Sequence, residues 1–291
     1  MQIQANPSVR LEKLKSTLPL TSDVAREYSF VLDEAEIARY RAMAACALEA
    51  ESDLWDIAGV QDGRRVLDLG CGPGIFLPTL VERSGFDGAV TAVERSDDAL
   101  KAARALLRVA GLEHRVRIIQ ADATETGLPP GSIDVVMIRN VLMHNGPRIA
   151  QILAHVRDLL APGGALLSVE TSVDDIRYPE AANEKELDDR WAAMMRSQGN
   201  DPNIGRTLAA QLRAHGFLPV ATGTHTDILM IQRSPAWTAR DRLVATGFAT
   251  VEDLHRWGAA IEARLKTIEP LRAETPFTVV VASPQGNRQT T

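Results

Sequence analysis

Aromatic side chains are scarce in this chain: four Trp, three Tyr and six Phe make up 4% of 291 residues. Ala, Leu and Val carry the apolar content instead. Lysine is rarer still. Of 32 basic residues only Lys13, Lys15, Lys101, Lys185 and Lys266 are lysines; the remainder are Arg, a bias that marks a GC-rich genome and equally suits bidentate capture of phosphate or carboxylate. Two cysteines, Cys46 and Cys71, cannot build a disulfide framework, and no Cys/His cluster has zinc-ligand spacing. No apolar run reaches the roughly 18 residues of a membrane span. The N-terminal stretch has no apolar core followed by a small-residue cleavage site. These absences predict a cytoplasmic chain with no membrane partner. A net charge of −6 leaves no broad basic face, so nucleic acid is not an expected partner.

The chain divides into an arm, a helical preface and a long alternating region. Residues 1–20 are polar with two prolines and read as a flexible arm. Residues 21–60 follow a helical pattern, with Val31, Ile37, Met43 and Leu48 among Ala and charged residues, and predict a helical N-terminal cap. Residues 61–283 form the main domain. In it, Val66 to Leu69, Ala89 to Val93, Val116 to Gln120, Ile133 to Ile138 and Ala165 to Val169 are short and nearly all apolar, as strands covered on both faces are. Helical patterns over Ile75 to Arg83, Asp97 to Ala110 and Arg148 to Leu160 separate them. This alternation predicts an α/β fold with a doubly wound, mostly parallel sheet.

After the fifth strand the rhythm breaks. Residues 172–205 are charged, with a helix near Asn183 to Arg196, and read as a lid insertion. Gly205 opens a further helix, and a strand is expected near Phe217 to Thr222. Thr250 has the character of an N-cap, followed by a helix with Val251, Leu254, Trp257, Ile261, Leu265 and Ile268 on one face. Phe277 to Ala282 makes a last strand, and 284–291 read as a disordered tail.

The strongest local signal is Val66-Leu67-Asp68-Leu69-Gly70-Cys71-Gly72-Pro73-Gly74. It leaves a buried strand, turns on glycines and enters a helix, where open α/β sheets bind ligands. Its G-x-G-x-G spacing differs from the dinucleotide G-x-G-x-x-G, since Ile75 stands where a third glycine would be, and no Lys follows as in a P-loop. Glu94, twenty residues past Gly74, closes the second strand and can take both hydroxyls of a ribose. Gln120-Ala121-Asp122-Ala123 ends the third and offers an acid and an amide to an adenine edge.

VLDLGCGPG, Glu94, QADA at 120–123, IDVVMIRNVLMH at 133–144 and LLAPGG at 159–164 together resemble the class I S-adenosylmethionine-dependent methyltransferases. The resemblance covers residues 60–170 and implies a Rossmann-like seven-stranded sheet. It also implies a cofactor site: the methionine part over Gly70, Cys71, Gly72 and Gly74 with Asp68 beside them, the ribose on Glu94, adenine between Asp122-Ala123 and Arg95, and Arg139-Asn140 on the sulfonium side. Tyr28-Ser29-Phe30 resembles the aromatic segment that folds over the cofactor in small-molecule members; the other reading of Tyr28 and Phe30 is core packing of the preface.

Methyl transfer needs a nucleophile in line with the methyl group, about 3 Å away, in a pocket that keeps water out. Methylation of an alkene carbon leaves a carbocation that a carboxylate must deprotonate. Glu170, at the end of the fifth strand, is the first candidate base; the alternative is an ion pair with Arg139. His144 is the second, or else a turn histidine with a satisfied ring. Arg139-Asn140-Val141-Leu142 departs from the Asn/Asp-Pro-Pro-aromatic turn of adenine-methylating enzymes, so the partner is expected to be a small molecule. Within that branch the helical preface, the Glu170 position and Asn203-Ile204-Gly205 resemble geranyl diphosphate C-methyltransferases. That resemblance implies methylation of geranyl or farnesyl diphosphate, at C6, with Glu170 as base and Mg²⁺ with polar or Arg side chains on the diphosphate; Arg41, Arg190, Arg196 and Arg206 are candidates. Phe30, Tyr178 and Trp191 would wall the substrate pocket, and Ala209 and Ala210 would leave room for a long chain or simply favour a helix. The alternatives are O- or N-methylation of a polyketide, phenol or amine, and a cofactor-binding protein without turnover.

Overall fold

A computed structural model describes residues 34–179, 181–267 and 270–285. Tyr28, Phe30 and the 1–20 arm lie outside the described residues. Two helices come first, α1 (Glu34–Ala50) and α2 (Ser52–Ala58), where sequence suggested one continuous helical stretch. The break falls at Glu51, whose side chain is fully buried and serves the site described below.

The parallel core follows as β1 (Arg65–Leu69), α3 (Leu77–Ser84), β2 (Ala89–Glu94), α4 (Asp97–Ala110), β3 (Val116–Gln120), β4 (Ile133–Arg139), α5 (Ile149–Leu159) and β5 (Leu160–Thr171). Burial along β1, β2 and β4 is nearly continuous, as continuous apolar runs require when helices cover both faces. Helix α4 shows why the local code is legible. The Ser96 side chain accepts a hydrogen bond from the Ala99 amide at 3.3 Å, Asp97 and Asp98 occupy the first turn, and Gly111 ends the helix in a left-handed conformation.

The remainder comprises α6 (Ala182–Ser197), α7 (Leu208–Ala214), β6 (Phe217–Ile231), α8 (Arg240–Ala245), α9 (Val251–Thr267) and β7 (Leu271–Pro284). Thr250 does cap α9: its hydroxyl accepts from the Asp253 amide at 3.1 Å while the Asp253 carboxylate accepts from the Thr250 amide at 3.0 Å. On the proposed apolar face Trp257 and Ile261 are buried, whereas Val251 and Leu265 are half exposed.

Seven strands form one sheet in the order β3-β2-β1-β4-β5-β7-β6, with β7 antiparallel to both neighbours. The expected Rossmann-like, mostly parallel α/β sheet is what the chain adopts. β6 and β7 are much longer than their sequence suggested. Phe277 to Ala282 of β7 pair with β5, and Leu271 to Pro276 run past its end, where their strand partner is β6 across Thr226 to Ile231. A two-stranded ribbon therefore rises beyond the ligand-binding edge of the sheet. The segment 172–205 meets it there, since Arg177 and Glu274 exchange backbone hydrogen bonds at 3.0 and 2.9 Å. Helix α6 is stitched to α9 by Arg256–Glu186 at 2.6 Å and by Arg264–Glu184. Pro284, expected in the tail, pairs with Phe217; residues 286–291 lie outside the described residues.

Gly205 sits where a side chain has no room: a Cβ there would lie 2.7 Å from the Thr171 carbonyl oxygen and 2.9 Å from that of Glu170. Both atoms are backbone of the strand that carries the site, so they cannot swing aside. Gly205→Ala is expected to destabilise the fold by about 1–3 kcal/mol through overpacking, measured as a lowered denaturation midpoint in urea.

Candidate active site

The strand order reverses between β1 and β4, so the loops leaving these two strands part and open a crevice, the usual ligand site of open α/β sheets. The loop after β1 is the glycine run. Gly70, Gly72 and Gly74 all have positive φ, at 79°, 53° and 73°, which only glycine adopts freely. A Cβ on Gly70 would stand 2.5 Å from Val141 Cγ2, and one on Gly74 would stand 2.8 Å from Ala103 Cβ. Gly70 thus lets the two crevice loops touch. Gly74 does not line the crevice; it lets α4 approach the loop. Cys71 is buried, its thiol pushed up by that burial.

Glu94 fixes the loop. Its carboxylate accepts hydrogen bonds from the amides of Gly72 at 3.1 Å, Arg95 at 2.8 Å and Ser96 at 2.9 Å. Asp68, buried below the loop, is pushed up to about 7 by desolvation and the nearby Glu94, against the pull of Arg139. Across the crevice Asn140 holds the one positive φ of a non-glycine residue among those described, 51°, and its buried Oδ1 has no hydrogen-bond partner there. Next to it, Nε and Nη1 of buried Arg139 also lack partners among the described residues. Orphaned buried polar atoms imply a ligand or solvent that satisfies them. An acceptor and a cationic fork facing one crevice suit the ammonium and carboxylate of an amino-acid group, so the residues present fit S-adenosylmethionine.

The remaining guanidinium nitrogen of Arg139 pairs with Glu51. Its carbon lies 4.6 Å from the ring centre of Phe76 and 5.7 Å from that of Phe277. Glu51 also accepts from Trp55 Nε1 at 3.1 Å and meets His225 Nε2 at 2.8 Å, and His225 Nδ1 lies 2.9 Å from Asp227. Burial alone would lower His225, but its bonds to Asp227 and Glu51 hold it up at about 9.

One cavity joins the glycine loop to a second chamber. This chamber is walled by Met43 of α1, Val173 and Ile176 of the 172–205 segment, Trp191 of α6, and Leu229 and Ile231 of the ribbon. His144 packs edge-on against Trp191, ring centres 5.8 Å apart. Burial, with Arg95 and Arg242 nearby, pushes His144 down to about 4, so its ring is neutral at pH 7. A buried carboxylate that sequence did not single out, Asp188, also faces the cavity. The Tyr178 hydroxyl donates to it at 2.7 Å and the Ser234 hydroxyl donates to its other oxygen.

Several expectations need correction. Glu170 is fully buried but absent from the cavity wall. Its oxygens accept from the amides of Val141 at 3.1 Å, Leu142 at 2.8 Å and Met143 at 3.3 Å, and Arg139 pairs with Glu51 instead. The Asp122 carboxylate is held by Arg148 and by Thr124, which leaves the Ala121–Ala123 backbone to face the adenine side. Ala209 and Ala210 line a separate groove between α7 and the sheet. None of Arg41, Arg190, Arg196 or Arg206 reaches the cavity; the last three pair with Glu186, Asp174 and Asp175. Among the described residues no group of three or more His, Cys, Asp or Glu could hold a metal ion. No helix among them is long and apolar enough to cross a membrane.

Comparison with known proteins agrees with this geometry. The profile of the family described as "Methyltransferase domain" matches residues 66–164. The ubiquinone/menaquinone biosynthesis C-methyltransferase UbiE of Idiomarina loihiensis is 30% identical over 206 residues, 71% of this chain and 74% of that protein. The demethylmenaquinone methyltransferase of Listeria welshimeri is 35% identical over 117 residues, 40% of this chain; the match spans about half of that relative's length, 49%. Among solved structures, the [4+2]-cyclase SpnF superposes with a TM-score of 0.51 at 20% identity, covering 84% of this chain and 82% of that one. The geranyl diphosphate C-methyltransferase of Streptomyces coelicolor A3(2) gives 0.50 at 14% identity, covering 94% and 93%. At such identities these structures share the fold. The chain belongs to the class I S-adenosylmethionine-dependent methyltransferase superfamily.

Two outcomes test the site. Glu94→Ala removes the acceptor of three amide N–H groups and is expected to weaken S-adenosylhomocysteine binding by roughly 10- to 100-fold, as loss of charge-assisted bonds does, read by titration calorimetry. His225 is raised above its ordinary 6.5, so its contribution to stability is complete below pH 6.5, declines as pH rises toward 9 and is gone above it. The melting temperature should therefore fall across that window, and His225→Gln should start lower and fall less.

Proposed function

We propose that this protein transfers the methyl group of S-adenosylmethionine to a small, largely apolar acceptor, a hydroxylated ring rather than a prenyl diphosphate. The observation that carries this reading is the single cavity that runs from the glycine loop into the chamber walled by Met43, Val173, Ile176, Trp191, Leu229 and Ile231. S-adenosylmethionine, when bound, supplies an electrophilic methyl group on a sulfonium. Glu94 holds the loop by its amides and takes the ribose, Asn140 and Arg139 face the amino-acid end, and the apolar chamber excludes water from the reacting atoms.

The acceptor is argued from charge. A diphosphate brings several negative charges; of the three arginines among the described residues that line the cavity, Arg39 pairs with Glu36 at 3.0 Å and Arg139 with Glu51, which leaves Arg95 alone to set against them. The four arginines first considered for it point elsewhere. Methylation at C6 of a prenyl chain would also need Glu170 at the acceptor carbon, whereas its carboxylate is enclosed by three amides. Glu170 serves instead to brace the turn that presents Asn140 and His144. A flat ring, by contrast, suits a chamber bordered by Trp191, Tyr178 and Phe277. The 30% identity with a quinone-pathway C-methyltransferase supports the same choice.

The test incubates the protein with labelled S-adenosylmethionine and, separately, 1,4-naphthohydroquinone kept reduced, geranyl diphosphate and farnesyl diphosphate, each with and without Mg²⁺. A product one CH₂ heavier from the hydroquinone, with none from the prenyl diphosphates, is expected. Turnover confined to a prenyl diphosphate would reverse the choice of acceptor, and cofactor binding with no turnover of any acceptor would argue for a binding protein.

A further inference from the structure

We infer that Asp188, held between the Tyr178 and Ser234 hydroxyls, is the base that takes the acceptor's hydroxyl proton, so that the substrate must carry an ionisable ring or enol hydroxyl. This rests on the methyltransferase reading above and deepens it.

Three observations place Asp188 for that task. It is a carboxylate with 2% of its surface exposed, yet it faces the cavity. Its two oxygens each accept one bond, from Tyr178 and from Ser234, which fixes the carboxylate plane and leaves lone pairs for a third donor. Ser234 is itself held, since its oxygen accepts from the Ala236 amide at 3.0 Å. Finally, Trp191 lies three residues further along α6 and packs on His144, four residues beyond Asn140 at the cofactor crevice. Asp188 therefore shares one cavity with His144, Asn140 and the glycine loop. Burial pushes it up to about 6, with Tyr178 and Ser234 pulling the other way. Lys185 and Asp189 act on it from its own helix; from other elements Tyr178, Tyr40, Arg39 with Glu36, and neutral His144 line the same cavity. Above pH 6 it is ionised, where a base near working pH is most effective.

The acceptor's O–H proton passes to Asp188 as the oxygen's electron density is pushed to the nucleophilic atom; where that atom is a ring carbon, the C–H proton it sheds on rearomatising returns to the oxygen. The bond to the methyl carbon forms as the methyl–sulfur bond breaks, S-adenosylhomocysteine leaves neutral at sulfur, and Asp188 returns its proton to solvent.

Two probes separate this role from a structural one: 1,4-naphthohydroquinone, protonated at pH 7, and 2-hydroxy-1,4-naphthoquinone, already an anion there. For Asp188→Asn the turnover of the hydroquinone should fall by roughly 100-fold or more, while that of the anion stays within about threefold. Calorimetry should show the anion binding more tightly to Asp188→Asn than to the native protein, because a like charge has been removed. Tyr178→Phe should move the acid limb of kcat/KM above 6, since one donor to the carboxylate is lost. Equal loss with both probes, unchanged hydroquinone turnover in Asp188→Asn, or an unmoved acid limb in Tyr178→Phe would overturn the assignment. Methylation of neither ring, with S-adenosylmethionine still bound, would overturn the acceptor class and the base with it. Absence of cofactor binding would instead overturn the methyltransferase reading.

Discussion

Arg139 is the constraint around which the molecule is organised. It ends β4 at the strand-order reversal, and its guanidinium is withdrawn from solvent between Phe76 and Phe277. A buried cation without a counter-ion costs several kcal/mol even after relaxation, and Glu51 supplies the counter-ion from the helical cap. Glu51 is buried in turn, so it needs more than one partner; Trp55 and His225 complete its shell. Asp227 then balances His225. The cap, the parallel sheet and the antiparallel ribbon are thereby fixed to one another through a single connected set of charges. Removal of any one member would strand its neighbours unpaired in the interior.

This connectivity explains the shape of the cavity. The ribbon formed by β6 and β7 extends past β5 with no third strand beside it, and an isolated two-stranded ribbon is marginal in water. His225 ties it to the cap at Glu51, and the Arg177–Glu274 bridge ties it to the 172–205 segment. The ribbon can then present Leu229, Ile231 and Phe277 inward as one wall. The glycine loop and the loop after β4 form the opposite wall, held by Glu94 and Glu170. Both carboxyl groups accept from backbone amides, which satisfies a buried oxygen without a cation; burial nevertheless pushes Glu170 up to about 8.

The parts legible in sequence are those whose physics is local. Ser96, Asp97 and Gly111 delimit α4 within a few residues of chain, and the glycine loop carries its own conformational requirement. Strands buried on both faces read as apolar runs. The parts that were hidden depend on distant partners. Beyond Thr222, β6 shows His225 and Asp227 on its inward face and Thr224 and Thr226 outward, polar on both sides, so nothing there marks the strand's continuation; its inward polarity is explained only by Glu51, 174 residues away in sequence. Glu170 and Asp122 stand at the expected strand ends, but amides and Arg148 had prior claim on their oxygens. Asp188 lies in a charged run, Glu184 to Arg190, that reads as a solvated helix face. Its burial comes from Tyr178 and Ser234, which meet it only in three dimensions.

The scarcity of aromatics acquires a different meaning in this light. With so few rings, a cavity built for a cationic or flat ligand would be poorly served if they were spread evenly. They are not: Tyr40, Phe76, Tyr178, Trp191 and Phe277 all line the one cavity. Two of them, Phe76 and Phe277, flank Arg139 and so serve the charge network, while Trp191 and Tyr178 flank the acceptor chamber beside His144 and Asp188. The ring faces are thus divided between a fixed cation of the protein and the space left for the acceptor. Two ring walls, a neutral imidazole and one carboxylate thus bring flat faces and polar points together at one end of the cavity.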